Sequence, residues 1–373
     1  FSTTFAGDFS ISMWLKPDDG QNSVQYFLGS QNSSSNDSVR AFITSGIVGF
    51  ILEAHDSTAT RVNTDSTVFS SGASTSWTHL ALVANITGTG TDKTTLLVYV
   101  NGALVAQTYA YQDLTAANHL QFLSDINLII GGLNADGSTS SNAFDGKIAD
   151  FAIWNAALDA DAVEAIYNSG RPTNLTFDSG NYDNSSALVA YYKMGNGSFD
   201  DKANGVIHDQ HNPGYVAELW DGVQGDDANW ELFGSTNEVA EDDGAVKITY
   251  GDSASGAFIR LKNSKDLNAD LVVGNTYKMS FSTKVNQGST IWVCSTTDGG
   301  TNDSATAITS TSFETRYLIF TADHETKVYI YSGSMAEGDI VWIKDISLKQ
   351  LNGFPGLTSD ADGSGFNFTS DTP

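Results

Sequence analysis

Short apolar runs alternating with small polar residues recur along the chain, separated by turns rich in Gly, Asn, Asp and Ser. Phe9-Ser10-Ile11-Ser12-Met13-Trp14-Leu15-Lys16-Pro17 has the period of two expected of a half-buried strand, and Trp77-Thr78-His79-Leu80-Ala81-Leu82-Val83 predicts a second. Between Leu96 and Thr108 two apolar-rich segments flank Asn101-Gly102, a dipeptide suited to the positive φ angles of a type I′ turn, so a hairpin is predicted there. The run Phe144-Asp145-Gly146-Lys147-Ile148-Ala149-Asp150-Phe151-Ala152-Ile153-Trp154-Asn155-Ala156-Ala157-Leu158 reads as a turn at Asp145-Gly146 and then a strand. Strict alternation would put Ile148, Asp150 and Ala152 on one face and Phe151 and Ile153 on the other. A short helix follows from about Ala160 to Asn168. Asp159 is its expected N-cap, Asp161 lies in the first turn beside the positive end of the helix dipole, and Gly170 stands just past its end.

A polar stretch from Arg171-Pro172 through Ser186 leads to the compact strand Ala187-Leu188-Val189-Ala190-Tyr191-Tyr192-Lys193-Met194-Gly195. From about Tyr215 the pattern restarts. Trp230-Glu231-Leu232-Phe233-Gly234 precedes strands expected around 245–250, 257–262, 276–285, 289–294, 316–321, 327–331 and 340–351. Short strands at even spacing with Gly/Asn/Asp turns predict a second β-sandwich. The expected fold class is all-β: two β-sandwich (jelly-roll) domains in tandem, the first closed by one short α-helix. The expected boundaries are 1–196 for the first domain, 197–215 for a connector and 216–351 for the second domain. Residues 352–373, with Asp360-Ala361-Asp362-Gly363, read as a linker to a further region.

The chain has 373 residues and a formal net charge of −26, with 18 basic residues against 44 acidic ones. Nucleic acid and anionic membranes are therefore not expected partners, since phosphate binding needs concentrated Lys and Arg. Salt or divalent cations would screen the self-repulsion of so acidic a chain. The single Cys294 excludes an intramolecular disulfide framework and argues against a metal–thiolate site. No run has the length of a membrane span, so no membrane insertion is expected.

Phe9–Pro17, Trp77–Val83, the Asn101-Gly102 hairpin and Phe144–Leu158 with its helix occur in the order found in the laminin-G-like (concanavalin-A-like) jelly rolls, and residues 1–170 resemble that family. The Leu188–Gly195 run resembles a segment that flanks such jelly rolls in phages and marine bacteria. The family places a strand before the one at Phe9, and eight residues precede it here, so a first strand is expected to be missing and the chain to be a fragment or processed product. Leu271-Val272-Val273-Gly274-Asn275-Thr276-Tyr277 and Ile343-Lys344-Asp345-Ile346-Ser347-Leu348-Lys349 resemble strands of carbohydrate-binding-module jelly rolls, which recur in phage tail proteins. Both resemblances imply recognition of sugars or surfaces, and both families often hold Ca²⁺.

Catalytic signatures are absent: no His-Glu-x-x-His, no Gly-x-Ser-x-Gly, no phosphate-binding Gly-rich loop and no Glu-x-Asp-x-x-Glu. The expectation is a protein that is not an enzyme. His208 and His211 read as a surface pair in a loop, and His79 as a hydrogen-bonded, half-buried strand residue. Alternation assigns Tyr277, Met279, Phe281, Thr283 and Val285 to the core, and Trp342 with them through Ile340, Ile346 and Leu348. Trp292 alternates against Ile291 and Val293, Tyr329 and Tyr331 against Val328 and Ile330, and Arg260 against Ile259 and Leu261. Those four are the candidate carbohydrate-binding residues, because sugars stack their apolar faces on exposed rings. The bland reading of the rings is cover for the sandwich or for a subunit interface. The candidate metal ligands are Asp345, which matches a structural Ca²⁺ position of the second family, and Asp298 and Asp303 in an oxygen-rich loop.

The resemblances imply a non-enzymatic glycan- or surface-binding adhesion module of a phage virion appendage, a tail fibre or similar structural protein, and the acidity and lack of disulfides agree with it. Two alternatives stand beside it: a purely architectural virion or surface-filament protein, and the accessory binding region of a secreted glycoside hydrolase. The expected partners are cell-surface polysaccharide or glycan and other copies or other virion proteins, in a homo-oligomer on a virion, at a cell surface or in the extracellular medium. Ca²⁺ is the expected structural cofactor.

Overall fold

The structure is a computed structural model. It describes all residues except 1–3, 20–22, 32–37, 55, 75, 87–90, 119–127, 136–137, 140–141, 199, 201–205, 212–214, 221–229, 234–237, 252–256, 262–270, 289, 296–303, 323–328, 334–335, 352–355 and 358–372. The chain divides into two compact units, one of residues 1–212 with 356–373 and one of residues 213–355. Each is built of β-sheets, and among the described residues the only α-helix is Ala160–Tyr167.

In the first unit one sheet runs in the order Leu188–Tyr192, Gly146–Trp154, Phe9–Pro17, Thr78–Asn85, Thr95–Val100, Ala103–Leu104. The other carries Gln25–Gln31, Ser38–Thr44, Ile47–Glu53, Ala59–Thr64 and Gln107–Gln112 side by side. Phe9, Ile11, Met13, Leu80, Leu82, Leu96 and Val98 of the first sheet pack with Phe27, Phe50 and Leu52 of the second. The hairpin turn is where the sequence places it, with Asn101 at φ 50° and Gly102 at φ 82°. Gly356–Leu357 pairs with Val206–Ile207 and so belongs to this unit.

The Phe9–Pro17 strand is buried on both faces rather than on one. Its second face lies beneath the helix: Ala81, Val83, Ala152 and Trp154 of the sheet form one cluster with Leu158, Ala162, Val163 and Ile166. Small polar residues fit there. The Ser10 hydroxyl donates to the Ala156 carbonyl at 2.8 Å and accepts from the Leu158 N–H at 2.8 Å, which pins the chain as it enters the helix. The Asp159 carboxylate accepts from the Ala162 N–H at 2.8 Å, as an N-cap does.

Strict alternation fails within Gly146–Trp154. The register against Phe9–Pro17 jumps between Ser12/Ala152 and Trp14/Ala149, and Asp150 takes φ 46°. This bulge moves Ile148 to the side of Phe151 and Ile153, so it packs in the inter-sheet core rather than with Ala152.

In the second unit one sheet has the order Glu238–Asp242, Ala245–Thr249, Ile340–Leu351, Thr276–Val285, Glu314–Thr321. Tyr277, Met279, Phe281, Thr283 and Val285 are all buried, as alternation predicts, with Val341, Ile343, Ile346 and Leu348 beside them. The other sheet has the order Trp230–Phe233, Ala257–Leu261, Tyr329–Gly333, Thr290–Ser295, Ser304–Ile308.

Candidate functional site

The candidate sugar-binding residues all lie in that five-stranded antiparallel sheet, and its register decides which share a face. Tyr329 stands opposite Arg260 on one neighbouring strand and opposite Ser295 on the other. Tyr331 stands opposite Phe258 and Val293. Directly opposed residues of an antiparallel ladder share a face, as do residues two apart on one strand. Tyr329, Tyr331 and Arg260 therefore occupy one face, with Glu231 next across from Arg260.

Trp292 does not join them. It stands opposite Ser332 and Thr306, which places it on the other face. Ile308, two residues beyond Thr306, identifies that face, because Ile308 is wholly buried in the core of this unit. The Trp292 position thus falls on the core side of the sheet, and Tyr329, Tyr331 and Arg260 fall on the outward side. A shift of one residue between neighbouring strands reverses the faces, so apolar alternation within each strand could not reveal the separation.

Trp342 moves the opposite way, from expected core to outward face. Asp345 adopts φ 51°, and the register against Thr276–Val285 breaks between Ser280/Ser347 and Ser282/Lys344. This bulge inserts one residue between the two halves of the strand. Val341 and Ile343 then share the core side with Ile346 and Leu348, while Trp342 lies half-buried on the other side. Its indole N–H donates to Asp242 Oδ2 at 2.7 Å, and the Lys284 ammonium lies 4.6 Å from its ring centroid. The spacing Val341, Ile343, Ile346, Leu348 carries the signal of that extra residue, since a gap of three interrupts a period of two.

Asp345 is exposed at the bulge. Calcium requires about six to eight oxygens, and among the described residues no three His, Cys, Asp or Glu side chains gather as a metal site would require. Asp345 has no such partners among the described residues. Asp298 and Asp303 lie outside the described residues.

Three of the six histidines are described, and none of them joins a metal-binding cluster among the described residues. His79 is buried rather than half-buried, its ring 5.1 Å from that of Trp14 and 5.9 Å from that of Tyr167, and its Nδ1 has no hydrogen-bond partner. Burial holds its pKa down to about 3, so it is neutral. His208 and His211 are not a surface pair: His208 is fully buried and His211 exposed. Nearby carboxylates serve the main chain. Asp200 accepts from the N–H groups of Gly195, Gly197 and His208, and Asp209 from those of Tyr191 and His211.

Residues 2–164 match the laminin-G-like family described as the Concanavalin A-like lectin/glucanases superfamily. No curated protein matches the chain. Among solved structures, a heptameric SAP-like pentraxin from Limulus polyphemus is 17% identical over 45% of this chain and 73% of its own, with a TM-score of 0.33. The CBM40 of the Ruminococcus gnavus IT-sialidase is 18% identical over 44% of this chain and 84% of its own, with a TM-score of 0.33. A CBM4 structure is 19% identical over 35% of this chain and 96% of its own, with a TM-score of 0.26.

Proposed function

We propose that this chain is a non-enzymatic glycan- or surface-binding module of a phage virion appendage, a tail fibre or similar structural protein. The outward face of the five-stranded sheet in residues 213–355 is its binding surface. One observation carries this reading: the register sets Tyr329 beside Arg260 and two residues from Tyr331 on the face turned away from the core. Tyrosine rings offer apolar faces to a pyranose and a hydroxyl to its polar edge. Arginine presents a fork of donors suited to sugar hydroxyls or carboxylates.

The family match of residues 2–164 supports a sugar-recognising chain. The appendage assignment rests on the sequence resemblance to modules of phage tail proteins. A homo-oligomeric appendage would repeat each weak contact and raise avidity without new contacts. The partners are then cell-surface polysaccharide on one side and other virion proteins on the other, outside the cell. Structural calcium, which the family resemblance implies, belongs to the loop of Asp298 and Asp303 in this reading.

The experiment is to pass the full chain over an array of immobilised bacterial surface polysaccharides. Retention on a subset of them is expected. Uniform absence of retention, with the chain folded and assembled, would put the architectural role first.

A further inference from the structure

The second unit carries another outward surface, on the sheet that holds Trp342. Lys247 and Lys284 stand directly opposite Trp342 on its two neighbouring strands. Lys344 is two residues from Trp342 on the same strand. Along the same strand pair Lys278 stands directly opposite Lys349. Five lysines of a chain with 18 basic residues are thus set on one side of one sheet.

Aromatic rings are interleaved with them. The Lys284 ammonium lies 4.6 Å from the Phe313 centroid as well as 4.6 Å from that of Trp342. Lys344 lies 4.3 Å from Phe313, and Lys278 lies 4.9 Å from Tyr317. Phe313 is 37% exposed. These cation–π contacts hold the ammonium groups of Lys284 and Lys344 against the rings without neutralising them. Among the described residues no carboxylate forms an ion pair with Lys247, Lys284 or Lys344.

The arrangement carries a cost. Like charges directly opposite on neighbouring strands repel, as Lys278 and Lys349 do. Acids lie at the margins of the face: Glu238 and Asp242 on the edge strand, Asp345 at the bulge, and Glu218 opposite Lys349 on its far side. The one carboxylate in contact with Trp342, that of Asp242, is engaged by the indole N–H rather than by an ammonium group among the described residues.

We infer that this face binds an anionic polysaccharide bearing carboxylates, at a site separate from the Tyr329–Arg260 face and independent of the reading given to that face. Lys247 and Lys284 are two strands apart, about 9–10 Å at ordinary strand spacing. That spacing suits a polymer with widely separated charges. It does not suit a duplex with one phosphate charge per about 1.7 Å of axis. Trp342 and Phe313 supply flat apolar surface for the sugar rings between the charges.

The test titrates the full chain with polygalacturonate, dextran and duplex DNA at low and high salt. Polygalacturonate should bind at low salt and be released as salt screens the lysines. Lys284→Glu with Lys344→Glu should weaken it by about tenfold, equivalent to about 1.4 kcal/mol. Lys284→Arg with Lys344→Arg should retain it, and the salt dependence of the parent remains informative if the reversed variant does not fold. The Tyr329→Ala/Tyr331→Ala variant should still bind polygalacturonate, which separates this site from the other face. Salt-insensitive binding, equal binding by the charge-reversed variant, or preference for duplex DNA would overturn the inference. So would a reversed variant that loses self-association in sedimentation while keeping polygalacturonate, since the occupant would then be a second copy of the chain.

Discussion

The Tyr191 hydroxyl donates to Asp150 Oδ1 at 2.6 Å, joining the Leu188–Tyr192 strand to the bulge of the strand it pairs with. The bond belongs to a layer that reaches past residue 164, where the family match ends. Leu175, Tyr182, Leu188 and Tyr191 pack with Trp154, Val163 and Ile166. The Trp154 indole donates to the Tyr182 hydroxyl at 3.0 Å, and that hydroxyl donates to the Leu175 carbonyl at 2.8 Å. Burial pushes the Tyr182 pKa up to about 12, so the phenol keeps its proton.

Tyr191→Phe therefore leaves a mostly buried carboxylate without its nearest donor. Loss of a hydrogen bond to a charged group predicts a cost of about 1.5–3 kcal/mol in denaturant unfolding at neutral pH. Burial already raises the Asp150 pKa, while Tyr191 and Lys193 oppose the rise. A carboxyl whose folded pKa lies above its unfolded value of 3.8 favours folding at low pH and loses that contribution as pH rises through the folded pKa. Removing the phenol lifts the folded pKa further, so the variant's deficit should shrink on acidification. A deficit independent of pH would contradict this.

The Asp159 cap is the smaller test of the same layer. Asp159→Ala removes the bond to the Ala162 N–H and should cost about 1 kcal/mol, within the usual range of about 0.5–2. Chemical denaturation measures it, and an unchanged midpoint would mean the helix is held by its apolar face alone.

The cap, the hairpin turn and the alternation of Thr276–Val285 were legible because each is local: the residues that determine the conformation lie within a few positions of it. Two bulges were not. Asp150 and Asp345 each adopt a positive φ that reverses the faces beyond them, which moves Ile148 into the core and Trp342 out of it. The grouping of Trp292 with Tyr329 and Tyr331 failed for a different reason. Each strand alternates as read, but the relative register of two strands is set by long-range pairing that neither segment contains. His79 was misplaced because the helix that covers its sheet lies some eighty residues further along the chain.

His79 predicts a pH dependence of its own. Its folded pKa of about 3 lies below the unfolded 6.5, so between those values the unfolded chain binds a proton that the native one does not. The stability it allows is complete above pH 6.5 and falls by about 1.4 kcal/mol per pH unit as pH drops toward 3. His79→Phe should flatten this slope relative to the parent in melts across that range. Parallel slopes would show that the imidazole is protonated in the native state.

Calcium should not act through Asp345. In melts with and without a chelator, the parent and Asp345→Asn should respond alike, whatever the size of the response, because Asp345 has no converging ligands among the described residues. A calcium-induced rise in melting temperature present in the parent and absent in Asp345→Asn would place the ion there after all.

The most direct test of the central claim compares the two faces of the five-stranded sheet. Tyr329→Ala/Tyr331→Ala and Trp292→Ala are each assayed for thermal stability and for binding to the polysaccharide that retains the parent chain. The account predicts that the tyrosine variant melts near the parent temperature and loses binding, each ring contributing about 0.5–1.5 kcal/mol. Trp292→Ala should instead melt lower, because its position lies on the side of buried Ile308. An unfolded tyrosine variant, or a folded one that binds as the parent does, would contradict the account.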